Sequence, residues 1–283
     1  MQTFEGRVAV ITGGAEGIGK ALAEQAAALG MKLVLADIHG AKLDATVAAF
    51  VARGIDASGL RTDVARAEQV QALADFAFDR HGAVHLLFNN AGVACAKPVW
   101  ELTTADWDWV VGVNLYGVTH ALRSFVPRML EGGDEGHIVN TASMAGLLSQ
   151  PTMATYNATK HGVVTVSECL HYELSLRGAR LKASVVCPAW VKTNIAFSER
   201  NRALSTGEAS AAPCADPLTS QVASAVIKAV EHGIEPAKVA EIVFQAIRDE
   251  RFYILTHPSF KPLVKVRMDD ILEERAPTFV PPR

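Results

Sequence analysis

The chain has 283 residues, of which 49% are hydrophobic and 20% are charged, a composition typical of a folded globular protein with a large core. Its formal net charge of −3 argues against a surface for nucleic acid or anionic membrane, because both need a basic footprint. Four cysteines without any C-x-x-C pair fit a reduced compartment better than a disulfide framework. There is no secretory pattern at the start and no run of about 18 apolar residues. We therefore expect a cytoplasmic protein.

Short β-rich runs alternate with longer helical patterns through most of the chain. The predicted strands cover residues 7–12, 32–37, 84–90, 136–143, 182–188 and 252–257. The predicted helices cover residues 17–30, 41–54, 66–80, 104–131, 153–177 and 236–249. Strands that are apolar throughout are buried on both faces. The alternation therefore predicts an α/β fold, a doubly wound, Rossmann-like parallel sheet with helices on both faces.

The regular alternation stops after the fifth predicted strand. Residues 194–236 are predicted to contain no strand and only a short helix near 219–232. This segment begins just beyond the carboxyl end of a strand, where open α/β sheets bind ligands, so we interpret it as a substrate-covering insertion. A plain linker is the alternative. Residues 258–283 are interpreted as a C-terminal tail of one domain spanning 1–283.

The first predicted strand leads directly into TGGAEGIG, residues 12–19. Gly13, Gly17 and Gly19 lie where the strand turns into a helix. Glycines there permit a tight turn, close approach of the backbone to a pyrophosphate, and close packing of helix on strand. The free N–H groups at the start of the helix then face the anion. The turn predicts a dinucleotide site, to which Ile18 also contributes.

Asp37 ends the second predicted strand, 18 residues after Gly19. A carboxylate at this point accepts hydrogen bonds from the ribose hydroxyls of adenosine and repels a 2′-phosphate. Glu16 in the glycine turn is not basic, and Ile38 occupies a position from which an arginine could reach a phosphate. These observations favour NAD over NADP. A simple turn residue at the strand end is the alternative for Asp37.

Further motifs follow in an order that resembles the short-chain dehydrogenase/reductase family from about residue 5 to 195. Together with TGGAEGIG they are TDV at 62–64, NNAG at 89–92, VNLYG with Asn114, TAS ending at Ser143, YNATK at 156–160 and CPAWVKT at 187–193. Several matches in register are far more specific than any one motif. The resemblance implies an NAD(P)-dependent alcohol dehydrogenase or ketoreductase.

The resemblance also implies further cofactor contacts. Asp63 and Val64 would border the adenine. Asn90, Ala91 and Gly92 would line the cofactor and steady the central strand.

The segment that would contact the nicotinamide departs from the family at one position. Val191 and Thr193 would contact the carboxamide, and Pro188 would line the cofactor. The family commonly has Pro-Gly where this chain has Pro188-Ala189. The added methyl group restricts the dihedral angles of this loop but does not change the expected reaction class.

Tyr156 and Lys160 lie four residues apart in a predicted helix and therefore share one face. A free tyrosine has a pKa of about 10 and is a poor base at neutral pH. A lysine cation within about 4–6 Å, or the positive nicotinamide ring of NAD⁺, is expected to lower that pKa. We therefore predict that Tyr156 is the general acid–base group. By resemblance, Lys160 would also bond the nicotinamide ribose.

Two further residues complete the predicted catalytic set. Ser143 ends a strand 13 residues before Tyr156, and its hydroxyl is expected to stabilise the developing alkoxide. By resemblance, Asn114 would hold a water molecule that relays protons from Lys160. An asparagine within a helix can also simply satisfy the backbone. The aromatic and acidic stretch at 106–110 is interpreted as packing plus a solvated face.

No metal site is predicted, because the histidines and cysteines lack the spacing of a ligand set. The expected substrate pocket consists of apolar residues, namely Val93, Ala94, Met144, Leu147, Met153 and Trp190. Such a lining suits a hydrophobic or aromatic secondary alcohol or its ketone. Patterns in the C-terminal half also resemble the subgroup that includes bacterial dehydrogenases of lignin-derived aryl alcohols.

The resemblance further implies a homodimer or homotetramer paired through the helices at 104–131 and 153–177. The second helix has an apolar side that consists of Ala158, Val163, Val166 and Leu170. This side could pack against another subunit or belong to the core of the same chain.

Two other functions remain open. A 3-oxoacyl carrier-protein reductase would prefer NADPH and expose a basic docking patch, against which Asp37, Glu16 and the long insertion argue. A dinucleotide-binding sensor without catalysis would not need an acid–base group, so the intact Tyr156 and Lys160 argue against it.

Overall fold

A computed structural model describes residues 1–207 and 216–279. In these residues seven strands form one sheet in the order β3-β2-β1-β4-β5-β6-β7, and all neighbours are parallel. The strands are β1 (Val8–Thr12), β2 (Lys32–Asp37), β3 (Ala57–Arg61), β4 (Leu86–Asn89), β5 (Gly136–Thr141), β6 (Leu181–Cys187) and β7 (Tyr253–Leu255). The predicted doubly wound fold is confirmed.

Helices cover both faces of this sheet. They are α1 (Gly17–Ala28), α2 (Gly40–Val51), α3 (Ala67–His81), α4 (Thr104–Val111), α5 (Gly117–Gly132), α6 (Ala154–Leu176), α7 (Arg202–Thr206), α8 (Pro217–Glu231), α9 (Pro236–Arg248) and α10 (Lys261–Leu272). Successive strand side chains point to opposite faces. Ala9 and Ile11 therefore join a core with α1 and α9, whereas Val8 and Val10 join a second core with α3 and α5.

The strand order reverses beside β1, whose two neighbours are β2 and β4. Such a reversal opens a crevice at the carboxyl ends of the strands, where α/β sheets bind ligands. Asp37 ends β2, Asn90 directly follows β4, and Ser143 follows β5 by two residues. The topology thus brings distant parts of the sequence to one edge.

Two elements differ from the sequence-based prediction. Strand β3 was not predicted, because its sequence ASGLR contains no apolar run and lies at the sheet edge. The long helix predicted over 104–131 is interrupted by a π-helical turn at Gly112–Tyr116, which separates α4 from α5. Gly117 permits close packing there, since a Cβ atom on it would lie 2.8 Å from Val64 Cγ2.

The predicted insertion contains more helix than expected. It begins with a 3₁₀ helix at Ile195–Asn201, continues into α7, and later forms α8 over 15 residues. Residues 208–215, which include Cys214, lie outside the described residues, as do 280–283 of the predicted tail. The described part of that tail forms a 3₁₀ helix at Pro258–Phe260 and then α10.

None of the helices in the described residues is both long enough and apolar enough to cross a membrane. In the same residues, no cluster of three or more His, Cys, Asp or Glu side chains could bind a metal ion.

Candidate active site

The glycine turn between β1 and α1 adopts a conformation that glycine alone accommodates easily. Gly13 and Gly17 have positive φ angles of 63° and 59°. A Cβ atom on Gly19 would lie 2.0 Å from the carbonyl oxygen of Gly13, so the first turn of α1 packs directly on the loop. The Asn90 amide donates to the carbonyl oxygens of Thr12 at 3.0 Å and Gly13 at 3.3 Å. The turn therefore fits a pyrophosphate at a helix N-terminus.

The Asp37 carboxylate is nearly buried at the end of β2 and lies against the same turn. One oxygen accepts a hydrogen bond from the Ala15 backbone N–H at 3.1 Å, and the other accepts from His39 N–H at 3.0 Å. These two bonds fix the orientation of the carboxylate toward the cavity that it lines.

The predicted adenine-binding residues lie at the far side of the crevice. The Asp63 carboxylate accepts hydrogen bonds from Ala65 N–H at 3.1 Å and from the Ser205 hydroxyl at 2.9 Å. Ser205 belongs to α7, and Asn201 just before α7 bonds the His39 ring at 2.7 Å. The insertion therefore covers the end of the crevice at which Asp37 and Asp63 lie.

One cavity of about 530 Å³ runs along this edge of the sheet. Every predicted cofactor-binding residue except Gly19 lines it, and so do Ser143, Tyr156 and Lys160. Gly19 lies beneath the turn. Asn114 is fully buried behind the backbone of Val93.

Tyr156 and Lys160 project from the first turns of α6. The Lys160 ammonium donates to the Thr141 carbonyl oxygen at 2.8 Å and lies 5.6 Å from the centroid of the Tyr156 ring. The Ser143 hydroxyl donates to the Pro188 carbonyl oxygen at 3.3 Å. A buried hydrogen-bonded chain from Asn89 in β4 through β5 to α6 holds this helix on the sheet.

The protonation of this pair differs from expectation. Burial raises the pKa of Tyr156, and a hydrogen bond with Ser143 lowers it by less. Burial lowers the pKa of Lys160 to about 8, against a smaller opposing effect of Cys187. The expected net lowering of the Tyr156 pKa is absent in the protein alone, since burial is the larger effect and the Lys160 ammonium is bonded to the Thr141 carbonyl.

Asn114 occupies the π-helical turn between α4 and α5, a distortion that is frequent at functional sites. Its side-chain oxygen accepts from Val93 N–H at 2.8 Å, and its amide donates to the Val93 carbonyl at 2.9 Å and to Thr159 Oγ1 at 3.1 Å. A Cβ atom on Gly92 would lie 3.4 Å from both Asn114 Oδ1 and Lys160 Nζ. The glycine thus leaves a small space between these two groups.

The apolar end of the cavity agrees with most of the predicted substrate pocket. Val93, Ala94, Met144, Met153 and Trp190 line it. The prediction for Leu147 is wrong, because Leu148 lines the cavity and Leu147 packs against a core cluster instead. Further lining residues, which no sequence motif indicates, come from α8 and the C-terminal segment, namely Leu218, Gln221, Val222, Ala225, Val226, Val230, Phe260 and Phe279.

The stretch at 106–110 is only partly solvated. Asp108 is exposed, but Asp106 is 1% exposed and accepts hydrogen bonds from Lys97 at 2.7 Å and Arg202 at 2.8 Å. The Arg202 guanidinium also lies 4.3 Å from the centroid of the buried Trp109 ring. The prediction of a solvated face is therefore wrong for Asp106, which anchors the insertion.

The parallel sheet, its reversal beside β1 and the glycine turn define a protein of the Rossmann-like, dinucleotide-binding class. The family model described as short chain dehydrogenase matches residues 7–203. The chain belongs to the short-chain dehydrogenase/reductase family of oxidoreductases, which confirms the resemblance found in its motifs.

Relatives match nearly the whole chain. A protein from Lactiplantibacillus plantarum named CLA biosynthesis dehydrogenase/reductase is 33% identical and covers 98% of this chain and 97% of its own length. A C alpha-dehydrogenase from Sphingobium sp. is 32% identical and covers 98% of this chain and 89% of its own. A crystal structure of a short-chain dehydrogenase/reductase from Burkholderia phymatum in complex with NAD is 47% identical, covers both chains fully and has a TM-score of 0.94.

Proposed function

We propose that the protein transfers a hydride between NAD(H) and a hydrophobic or aromatic secondary alcohol or its ketone. The observation that carries this proposal is the convergence of Ser143, Tyr156 and Lys160 on one cavity, which apolar side chains such as Met144, Met153 and Trp190 also line. Such a cavity accommodates a bulky apolar substrate with its oxygen held among a few polar groups.

In this proposal the Tyr156 hydroxyl exchanges a proton with the substrate oxygen. Ser143, which already bonds Tyr156 and lies beside Pro188, holds the same oxygen and stabilises its developing charge. Bound NAD⁺ supplies the hydride acceptor and a positive charge, which favours the phenolate. That charge is needed because the protein's own groups leave the pKa of Tyr156 raised.

A proton route follows from the space beside Gly92. In this proposal a water molecule near Gly92 bonds both Lys160 Nζ and Asn114 Oδ1, which lie 3.4 Å from the same point beside this glycine. Lys160 has a pKa of about 8 and can pass a proton to such a water near neutral pH. Asn114 also bonds the Val93 backbone, accepting from its N–H with the same Oδ1 and donating to its carbonyl oxygen with Nδ2, and this fixes the orientation of the Asn114 side chain.

The choice of NAD over NADP rests on the charges around the adenosine ribose. Asp37 faces the cavity with its carboxylate, which repels a 2′-phosphate. Of the nearby cations, Lys42 and Arg200 both bond Glu16, and Arg61 bonds the Ile38 carbonyl oxygen, so each already has a partner. The relative crystallised with NAD supports the same choice. Replacing Asp37 by Ser should raise turnover with NADP relative to NAD, whereas a strong NADP preference in the wild type would contradict the proposal.

The assembly is proposed to be a homodimer or homotetramer paired through α4–α5 and α6. Val163 and Leu170 of the predicted apolar side are core residues, whereas Ala158 is exposed and Val166 is partly exposed. Sedimentation equilibrium tests this proposal, and a monomer at micromolar concentration would contradict it.

The test of the activity is the Tyr156→Phe variant, assayed with a panel of bulky secondary alcohols by the absorbance of NADH. Turnover should fall by about 10²-fold or more, since general acid–base catalysis contributes that much. Binding of NADH should persist, because the glycine turn and Asp37 are unchanged. Tyr172→Phe is the matched control on the same helix, since Tyr172 is 61% exposed. Full turnover by Tyr156→Phe would refute the assigned acid.

A further inference from the structure

The loop that follows β6, residues 188–191, forms part of the cavity wall beside Ser143 and is called the β6 loop below. The Pro188 carbonyl oxygen accepts hydrogen bonds from Met144 N–H at 2.8 Å and from the Ser143 hydroxyl at 3.3 Å. A shift of this loop would therefore move the Ser143 hydroxyl as well.

The backbone ladder between β6 and β7 ends just before this loop. The last pair is Cys187 with Leu255. Pro188 has no N–H group to donate, so the ladder does not continue through it. His257 lies two residues beyond Leu255 of β7. It is therefore level with Ala189, which lies two residues beyond Cys187 of β6.

The His257 imidazole takes over where the ladder ends, because it bonds two consecutive peptide groups of the β6 loop. Its Nδ1 accepts a hydrogen bond from Ala189 N–H at 3.3 Å. Its Nε2 donates to the Trp190 carbonyl oxygen at 3.0 Å. One side chain thus holds a donor and an acceptor of the loop at once.

These partners determine the tautomer of His257. A backbone N–H only donates and a carbonyl only accepts, so Nδ1 is unprotonated and Nε2 carries the proton. The Thr256 hydroxyl lies 2.8 Å from Nδ1 and acts as a second donor to it. Burial lowers the pKa of His257, and the bond to Trp190 raises it by less, which agrees with a neutral ring.

The opposite side of the β6 loop is also fixed. Ile234 N–H donates to the Trp190 carbonyl oxygen at 3.0 Å, so this oxygen receives two hydrogen bonds. A Cβ atom on Gly233 would lie 2.5 Å from the same carbonyl group, so the two chain segments touch. His257 and residues 233–234 therefore clamp the Trp190 peptide from both sides.

We propose that His257 is a positioning residue of the reaction, because it holds the Ala189 and Trp190 peptide groups and so keeps the β6 loop in register with Ser143. This inference rests on the proposed function.

Hydrogen exchange of the protein without cofactor tests the contact independently of any activity. In His257→Leu, exchange of the Ala189 amide should accelerate about fivefold or more, the effect of one lost hydrogen bond. His257→Asn should keep Ala189 protected, because its amide oxygen replaces Nδ1. His257→Gln should not, because its amide nitrogen replaces Nε2. If the Leu variant does not fold, the Asn and Gln variants carry the test.

Kinetics test the consequence for the reaction. His257→Leu should lower kcat about 10- to 100-fold by misplacing reacting groups. The dissociation constant of NADH, measured by fluorescence, should change less than kcat, because Pro188 and Val191 are a small part of the expected cofactor site whereas the Ser143 hydroxyl acts on the transition state. The control is His232→Ala, an exposed histidine bonded to its own helix at Lys228, which should match the wild type.

Two results would overturn the inference: unchanged protection of Ala189 in His257→Leu, or unchanged kcat in that variant. If the wild type shows no NAD-dependent turnover with any alcohol, the proposed function fails instead. The exchange result then still decides whether His257 holds the loop.

Discussion

The Arg202 guanidinium donates a 2.8 Å hydrogen bond to the Asp106 carboxylate, and both side chains are buried. Arg202 begins α7 in the insertion, whereas Asp106 lies in the first turn of α4. Asp106 also caps its own helix, since it accepts from Thr103 N–H at 2.9 Å. This ion pair therefore attaches the cover of the cavity to the rigid part of the fold.

We predict that Arg202→Met destabilises the protein by about 3 kcal/mol, at the low end of the loss for a broken buried pair. The effect is at the low end because Lys97 still neutralises Asp106. The change also removes the contact with Trp109. Urea unfolding measures the loss, and binding of NADH should weaken because the cover is no longer attached.

The matched control is Arg200→Met, which removes another arginine of the same segment. Arg200 is partly exposed, and it bonds Glu16 and the carbonyl oxygens of Asn194 and Phe197, so its loss should cost less than the loss of the buried Arg202. Equal destabilisation by the two variants would show that the buried pair does not anchor the insertion.

The same carboxylate predicts a loss of stability in acid. Burial acts to raise the pKa of Asp106, but hydrogen bonds from Lys97 and Thr103 outweigh it and hold the pKa at about 2, below the ordinary 3.8. Because the folded-state pKa is depressed, the stabilisation is present above pH 3.8 and is lost as the pH falls through 2. The 1.8-unit difference corresponds to about 2 kcal/mol.

Unfolding measured against Asp106→Asn tests this dependence. The free energy of unfolding of the wild type should fall by about 2 kcal/mol more than that of Asp106→Asn between pH 5 and pH 2. Asp108→Asn is the control, since Asp108 is exposed on the same helix, and its difference from wild type should stay constant. A constant difference for Asp106→Asn would contradict the prediction.

The ion pair also shows why parts of the site were not predictable. Glycine turns, strand-end carboxylates and a Tyr-x-x-x-Lys pair carry their chemistry in residues close together in sequence. Arg202 lies 96 positions from Asp106, in a polar segment where any charged residue would be taken as solvated. Its burial depends on tertiary contacts that no local pattern encodes.

The same limit applies to the pocket and to the sheet. Val93 and Trp190 are predictable as pocket residues, because Val93 directly follows the motif NNAG and Trp190 lies within CPAWVKT. Phe260 and Phe279 are not, because only the path of the chain after β7 brings them to the cavity. In β3, a Cβ atom on Gly59 would lie 2.9 Å from the Val47 side chain, so there is no room for a larger residue. The strand therefore lacks the run of apolar residues by which a buried strand is recognised in a sequence.

Gly92→Ala is predicted to preserve the fold while reducing turnover. The backbone of Gly92 does not have a positive φ, so alanine is tolerated and should raise stability by about 0.4–1 kcal/mol through the unfolded state. The new methyl group would occupy the space between Lys160 Nζ and Asn114 Oδ1. We expect kcat to fall about tenfold or more as the proton route is blocked.

Gly132→Ala provides the comparison. Gly132 ends α5 and has no atom within 4 Å of the added methyl position, so its turnover should match the wild type. Wild-type kcat for Gly92→Ala would show that no proton passes through the space beside Lys160.

Lys160 predicts a gain of stability in mild alkali. Burial lowers its pKa from 10.5 to about 8. Between these values the unfolded chain binds a proton that the folded protein has released, so stability rises with pH. The difference in free energy of unfolding between the wild type and Lys160→Met should shift by about 2 kcal/mol in favour of the wild type between pH 7 and 9.5. This range ends below the raised pKa of Tyr156, whose ionisation would act in the opposite direction.

The control for Lys160 is Lys20→Met, which removes an exposed lysine of α1 and should differ from the wild type by the same amount at every pH. A wild-type advantage over Lys160→Met that stays constant with pH would mean that the ammonium is not desolvated. It would then remain fully charged beside Tyr156, and the role of proton donor to the relay would pass to another group.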